Sequence, residues 1–279
     1  MVTSMLPKPS TEQERLLDTI RRKAWVKISP RVEEAFLQTP RHYFVRRFSV
    51  DYDNWIEVDE STVFNFLPII YSDATLLIWD QDGFISTISQ PSLVLHMLEL
   101  LDVKEGMRVF ELGTGSGWNA ALLARLTGNS GEVVSYEIIP ELAREARDVL
   151  RSLDLPQIRV EQGDAGELIQ KEEPFDRGVF TAGAYDLPLT YFEKVKEGGK
   201  LLFVLKTGGD DLLLCLEKRK DHFEEINRMR CRFVPVVGEA APKGEIPLGE
   251  LPENVMIFPK GQENGRKILI RGETCSYVI

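Results

Sequence analysis

Three glycines fall within five residues in Glu111-Leu112-Gly113-Thr114-Gly115-Ser116-Gly117, between an apolar run at 107–112 and a helical pattern at 118–127. A strand that turns this abruptly into a helix needs residues without a Cβ, so that the backbone can fold tightly and approach a ligand closely. The segment therefore points to an α/β fold with a ligand-binding turn at the end of its first strand. From there the periodicity supports the same reading. Short apolar runs at 107–112, 132–137, 158–161, 177–182 and 200–205 alternate with helical patterns at 118–127 and 140–154, the signature of a parallel sheet with crossover helices. Glu197-Gly198-Gly199 reads as the turn into the fifth strand, and apolar stretches at 211–217 and 229–237 complete the set. The expectation is a seven-stranded, mostly parallel sheet with helices on both faces.

Ahead of this region the spacing predicts helices over 11–25, 30–38 and 92–101. Residues 41–85 are irregular and rich in aromatics and acids, with a run at 63–71 that reads as buried and a turn at Asp80-Gln81-Asp82-Gly83. Beyond Gly238 the density of Pro and Gly rises, which predicts loops with one or two short strands. The chain thus divides into a lead segment, 1–85, covering the active site, a Rossmann-like domain, 86–238, and a C-terminal extension, 239–279.

Charge and cysteine content narrow the function. Lys plus Arg total 34 against 44 Asp plus Glu, a formal charge of −10, so no broad attraction for phosphate backbones is expected and nucleic acid is disfavoured as a partner. Cys215, Cys231 and Cys275 are odd in number and widely spaced, giving neither a disulfide framework nor a metal site and suiting a reducing, cytoplasmic setting. No run approaches the ~20 apolar residues that cross a bilayer, and no secretory h-region is present at the N-terminus. A soluble protein without a membrane partner is expected; oligomeric state is not legible.

The chemistry of the turn selects a ligand. A dinucleotide fingerprint would need glycine where Trp118 stands, and Glu111 would repel a pyrophosphate while suiting a ligand that carries an ammonium or sulfonium. S-adenosylmethionine carries both. Thr114 and Gly115 present the turn's backbone to such a ligand. Glu137 ends the second strand, 24 residues after Gly113, where this fold delivers a carboxylate to the ribose hydroxyls. Asp164, followed by Ala165 after the third strand, is placed to accept from an adenine amine.

Thr87-Ile88-Ser89-Gln90-Pro91, followed by a helix and then by the glycine turn, resembles the protein-L-isoaspartate (D-aspartate) O-methyltransferase family. The resemblance continues in Ser29-Pro30-Arg31-Val32-Glu33-Glu34-Ala35-Phe36, in Pro40-Arg41-His42-Tyr43-Phe44-Val45, in Tyr136-Glu137-Ile138-Ile139-Pro140-Glu141-Leu142-Ala143 and in Arg232-Phe233-Val234-Pro235-Val236-Val237-Gly238. It implies a Rossmann-like class I S-adenosylmethionine-dependent methyltransferase (EC 2.1.1.77) that esterifies the α-carboxylate of L-isoaspartyl or D-aspartyl residues in damaged proteins or peptides. The ester then collapses to a succinimide without the enzyme, so that repair follows. The resemblance makes Ser89 the active-site residue, sets Thr87, Ile88 and Gln90 along cofactor and substrate, and assigns Glu111, Gly113, Glu137 and Asp164 to the cofactor.

That chemistry needs no metal and no general base, because a carboxylate is already ionised at neutral pH. Its attack on a sulfonium methyl is an in-line displacement, which asks for alignment and exclusion of water. Ser89 is then a hydrogen-bond donor to the carboxylate rather than a covalent nucleophile, since His42, His96 and His222 are isolated from it and from one another in sequence. His42 reads as a structural contact, His96 as a helix residue and His222 as surface.

Two other readings keep the fold. The stretch Gly131-Glu132-Val133-Val134-Ser135-Tyr136-Glu137 also resembles the second-strand region of tRNA adenine-N1 methyltransferases, a substrate that the −10 charge opposes. Ile85-Ser86 in place of Gly-Gln, Tyr185 after the fourth strand, the long aromatic region 46–82 and the extension motivate a divergent member with another carboxylate substrate or without catalysis.

Overall fold

A computed structural model of the protein describes residues 10–207, 210–238, 241, 251–272 and 274–278. The chain forms two units. The first comprises Met1–Gly106, Thr114–Val133 and Ile139–Val160, and the second Met107–Gly113, Val134–Ile138 and Glu161–Ile279.

In the first unit, α1 (Thr11–Arg21) is capped by the Ser10 hydroxyl, which accepts from Gln13 N, and carries acids in its first turn and Arg21 in its last. α2 (Pro30–Leu37) follows, with proline in its first turn. A 3-10 turn (Arg41–Phe44) leads into β1 (Arg47–Ser49), β2 (Trp55–Glu57), α3 (Val63–Ile70), β3 (Leu76–Gln81) and β4 (Phe84–Ile88). Asp82 and Gly83 both take positive φ, so β3 and β4 are closed by a two-residue turn of the kind that matches strand twist. The four strands form a sheet in the order β2-β1-β3-β4. α4 (Pro91–Leu101) starts at the family-like motif and stops at Asp102 in the left-handed region. The same unit contains α5 (Trp118–Thr127) and α6 (Pro140–Ser152), the links that follow the first and second strands of the large sheet.

That sheet is built from β5 (Arg108–Leu112), β6 (Glu132–Glu137), β7 (Ile158–Gln162), β8 (Phe175–Phe180), β9 (Val195–Leu205), β10 (Asp211–Lys218), β11 (Phe223–Cys231), β12 (Met256–Pro259), β13 (Ile268–Arg271) and β14 (Cys275–Val278), with the short α7 (Ala165–Leu168) and α8 (Leu189–Lys194) between strands. Its order is β13-β14-β12-β11-β10-β9-β8-β5-β6-β7. Strand order reverses at β5, so the end of β5 is the switch point at which open α/β sheets bind ligands. Aromatic packing fills the core of the second unit: Phe110 lies 5.2 Å from Phe175, and Phe180 lies 4.9 Å from Tyr191 and 5.3 Å from Phe203.

The expected α/β class holds, and the sheet is larger and more mixed than seven mostly parallel strands. β5–β8 and β8–β9 are parallel, whereas β9–β10, β10–β11, β11–β12, β12–β14 and β13–β14 are antiparallel. Hairpin-length links after β9 and β10 leave no room for a crossover. The extension adds three strands, and the stretch at 242–250 expected as loop lies outside the described residues. The last expected strand also moves, from 229–237 to Phe223–Cys231, because β11 returns directly after β10 with Lys218 opposite Phe223. Glu197-Gly198-Gly199, expected as a turn, is absorbed into β9 beside an irregularity in its pairing with β8.

Three further differences concern side chains. The run 63–71, expected to be buried, is largely helix α3, of which only Ile70 is buried, while Phe64 is 75% exposed. His222, expected on the surface, stacks on Phe258 at 4.7 Å and is held by Asp221. Asp186, far from the extension in sequence, holds it: Oδ2 accepts from Thr274 N at 2.6 Å and from Thr274 Oγ1 at 2.9 Å, and Oδ1 accepts from Cys275 Sγ at 2.8 Å. That clasp fastens β14 to the loop after β8.

Candidate active site

The glycine turn is where the chain passes from the second unit into the first, between Gly113 and Thr114. Gly113, Gly115 and Gly117 all have positive φ. At Gly113 a Cβ would stand 2.5 Å from Thr181 Oγ1, whose hydroxyl donates toward the Leu112 and Gly113 carbonyls at 2.8 and 2.6 Å.

In the first unit, the motif that ends β4 packs against this turn. A Cβ at Gly115, where φ is +51°, would lie 3.2 Å from Ser86 Oγ and 3.8 Å from the Thr87 carbonyl, so the motif and the turn are in close contact. Ile88 is buried, and Thr87 and Ser89 are half-buried. Among the described residues the Ser89 hydroxyl has no hydrogen-bond partner, while its carbonyl accepts from Arg41 Nη2 at 3.0 Å. Gln90 does not simply line a pocket. Its Nε2 donates to Asp73 Oδ2 and to Ser92 Oγ, both at 3.1 Å, and Asp73 Oδ1 accepts from Ser92 N at 2.8 Å.

Arg41 and Asp73 hold the motif, and neither stood out in the sequence as functional. The Arg41 guanidinium is fully buried and donates to five carbonyls: Ile70 and Ser72 through Nη1, and Ala74, Ile88 and Ser89 through Nη2. Burial lowers its pKa, and the carbonyl ring takes the place of water around the charge. Its guanidinium also lies 5.3 Å from the centre of the Trp118 ring, whose Nε1 donates to the Thr39 carbonyl. Burial alone would raise the Asp73 pKa, but hydrogen bonds from Lys23, Ser92 and Gln90 outweigh it and the net shift is downward. The only sequence sign of this arrangement was the Pro40-Arg41-His42 element; Asp73 carried none. His42 is a structural contact as expected, its Nδ1 2.7 Å from the Tyr71 hydroxyl.

In the second unit, three acids stand at strand ends. Glu111 is fully buried, and one of its oxygens accepts from Ser135 Oγ at 2.5 Å. Gly113 N donates to the Tyr136 carbonyl and Gly163 N to the Glu137 carbonyl, both at 2.9 Å, which brings Gly113, Glu137 and the Asp164 loop to one sheet edge. Glu137 is buried. Asp164 caps α7 by accepting from Gly166 N at 2.8 Å, with Ala165 buried behind it. Gly238, at φ +85°, lies against this carboxylate: a Cβ there would overlap Asp164 Oδ2 and stand 3.0 Å from Ile138 Cδ1. Gly238 belongs to the last segment of the family resemblance, yet nothing in the sequence tied it to Asp164.

Comparison with known proteins gives the family. A family model described as protein-L-isoaspartate(D-aspartate) O-methyltransferase matches residues 11–241. A protein-L-isoaspartate O-methyltransferase of Archaeoglobus fulgidus is 35% identical over 228 residues, covering 82% of this chain and 94% of that one. A solved protein-L-isoaspartate O-methyltransferase superposes with a TM-score of 0.70 at 20% identity, covering 95% of this chain and 87% of that one. A proposed enzyme of the same name from Plasmodium falciparum, solved with S-adenosyl-L-homocysteine, gives 0.64 at 19% identity, covering 81% of this chain and 98% of that one. The chain belongs to the protein-L-isoaspartate(D-aspartate) O-methyltransferase family.

Proposed function

We propose that this protein methylates the α-carboxylate of isoaspartyl residues in proteins or peptides, using S-adenosylmethionine, with Ser89 as the residue that orients the carboxylate. The observation that carries the reading is the β4 motif closed onto the glycine turn at Gly115, with a Ser89 hydroxyl that has no hydrogen-bond partner among the described residues and a backbone fixed by Arg41.

The residues present fit the cofactor. Gly113 and Gly238 let the backbone lie against Thr181 and the Asp164 carboxylate, and the acids at the strand ends suit a cationic nucleoside: Glu111 near the ammonium or sulfonium, Glu137 for the ribose hydroxyls and Asp164 for the adenine amine. Thr114 and Gly115 supply backbone of the turn, Ala165 follows Asp164, and Thr87, Ile88 and Gln90 set the position of Ser89. When bound, the cofactor supplies an electrophilic methyl group. The chain's part is alignment. Ser89 donates to one oxygen of the substrate carboxylate and leaves the other for in-line attack, Arg41 holds Ser89 against displacement, and the apolar residues around Ile88 keep water from competing.

The test pairs an isoaspartyl peptide with its aspartyl counterpart and follows transfer from methyl-labelled cofactor. Base-labile incorporation into the isoaspartyl peptide alone is expected, and Ser89→Ala should bind cofactor normally while losing about 10²-fold in kcat. Cofactor binding without transfer to the isoaspartyl peptide would refute the reaction, and an unchanged Ser89→Ala rate would refute the role given to Ser89.

A further inference from the structure

Within the first unit, the stretch leading to Ser89 has a surface of its own. Residues 48–90 contain eight acids, Asp51, Asp53, Glu57, Asp59, Glu60, Asp73, Asp80 and Asp82, and no lysine or arginine. Within this stretch lies α3, Val-Phe-Asn-Phe-Leu-Pro-Ile-Ile, a helix apolar on every side except at Asn65. A helix of that composition belongs in a core. Here one side is covered, with Phe66 5.8 Å from Phe48 and Ile70 fully buried, while Phe64, Pro68 and Ile69 face outward. In the same segment Val50, Tyr52 and Trp55 are exposed on the β1–β2 ribbon, among Asp51, Asp53, Glu57, Asp59 and Glu60, which are exposed as well. Local hydrogen bonds lower the pKa of Asp51 and of Asp59, so both carry charge at neutral pH.

This surface is mechanically tied to the catalytic motif. The ribbon belongs to the sheet whose edge strand β4 runs into Ser89, and Arg41 binds the carbonyl of Ile70, the last residue of α3, together with those of Ile88 and Ser89.

We propose that the outward face of α3 and the acidic β1–β2 ribbon dock cationic, apolar-containing stretches of the polypeptide to be methylated. The inference rests on the proposed reaction and names its substrate class. Exposed aromatic rings interleaved with carboxylates accept lysine and arginine by ion pairing and by stacking, while the helix face takes the apolar side chains between them. A second copy of the chain fits worse, because a two-fold contact would set these acids against each other in a protein of net charge −10. An anionic membrane would be repelled for the same reason.

The test uses two labelled unstructured peptides of equal length, one carrying Lys, Arg and Leu and one with Glu in place of the basic residues, each with and without a single isoaspartyl residue. The variants are Phe64→Ser/Ile69→Ser and Asp53→Lys/Glu57→Lys/Glu60→Lys, all at exposed positions. Fluorescence anisotropy should show the basic peptide binding about tenfold more tightly than the acidic one near ~50 mM salt, with the difference shrinking at ~500 mM. Both variants should raise the basic peptide's KM about five- to tenfold with kcat and cofactor affinity unchanged, and the charge variant should improve the acidic peptide. Equal binding of both peptides, variants that bind as the parent does, or a dimer that dissociates in the serine variant would overturn the proposal. Selective binding of the basic peptide without methyl transfer to either isoaspartyl peptide would uphold docking and overturn the reaction instead.

Discussion

Replacing Gly238 by alanine tests whether Asp164 holds the cofactor. Two penalties are separable. The left-handed backbone at φ +85° costs an ordinary residue about 1–2 kcal/mol. The new Cβ would also overlap Asp164 Oδ2 and stand 3.1 Å from its Cγ, so the carboxylate must swing away and give up its bond to Gly166 N, a helix cap that contributes about 1 kcal/mol. Total destabilisation should be about 2–3 kcal/mol, or roughly 4–12 °C in Tm. If the displaced carboxylate is the acceptor for the adenine amine, the lost charged hydrogen bond is about 1.5–3 kcal/mol, which is roughly 10- to 100-fold in affinity. Titration calorimetry of the folded variant with S-adenosyl-L-homocysteine measures the second term directly. Gly261→Ala is the control: its φ is +87° with nothing within 4 Å of the added atom, so it should lose stability and keep its affinity. A folded Gly238→Ala protein that binds as tightly as the parent would show that Asp164 does not touch the cofactor.

Other outcomes follow from the same geometry. Arg41→Met strips five carbonyls of their donor and should cost about 3–5 kcal/mol, with kcat falling more than cofactor affinity; Arg41→Lys, a point charge that cannot serve both groups of carbonyls, should fall between, and a stable, fully active Arg41→Met would contradict the positioning role. Because the folded-state pKa of Asp73 is depressed, its contribution to stability is complete above the unfolded value near ~4 and disappears as pH falls through the lower folded value; Asp73→Asn should therefore flatten Tm against pH below about pH 4, and an unaltered acid limb would dismiss the contact. Burial pushes the Cys215 thiol up to about 11, Cys231 up to about 12 and Cys275 well above its ordinary value, so a disulfide reagent at about pH 8 should label none of them within minutes and all three after unfolding.

What could be read in the sequence was whatever is local and periodic. The β5 turn, α5 and β6 fall where the glycine spacing and the apolar alternation put them, because a strand, a Cβ-free turn and a buried apolar helix each leave a mark within ten residues. α3 was misjudged for a physical reason: apolar composition indicates that a segment avoids water, but not whether its own fold or another molecule provides the cover. One or two short strands were expected beyond Gly238 and three form; the surrounding Pro and Gly and the short length of β12 and β14 kept them from being placed, their burial coming from neighbours distant in sequence. At the site, the acids at strand ends were legible because topology puts them there. Arg41, Asp73 and Gly238 were not, since their roles arise from contacts with carbonyls, a side-chain amide and a carboxylate 17 to 74 residues away, and no residue type announces such a meeting in advance.

The clasp between Asp186 and Thr274–Cys275 has a kinetic side. β14 lies between β12 and β13, although both precede it in the chain, so this flank of the sheet stays gapped until a strand 89 residues beyond Asp186 slides into place. β14 pairs with β12 and β13 close to it in sequence, but its clasp to Asp186 needs β9 to β12 in place first, which makes that closure a late event. Refolding monitored by pulsed hydrogen exchange should find the amides of β12 and β14 protected last, well after β5 and β8, and removing Asp186 should delay them further without slowing the glycine turn.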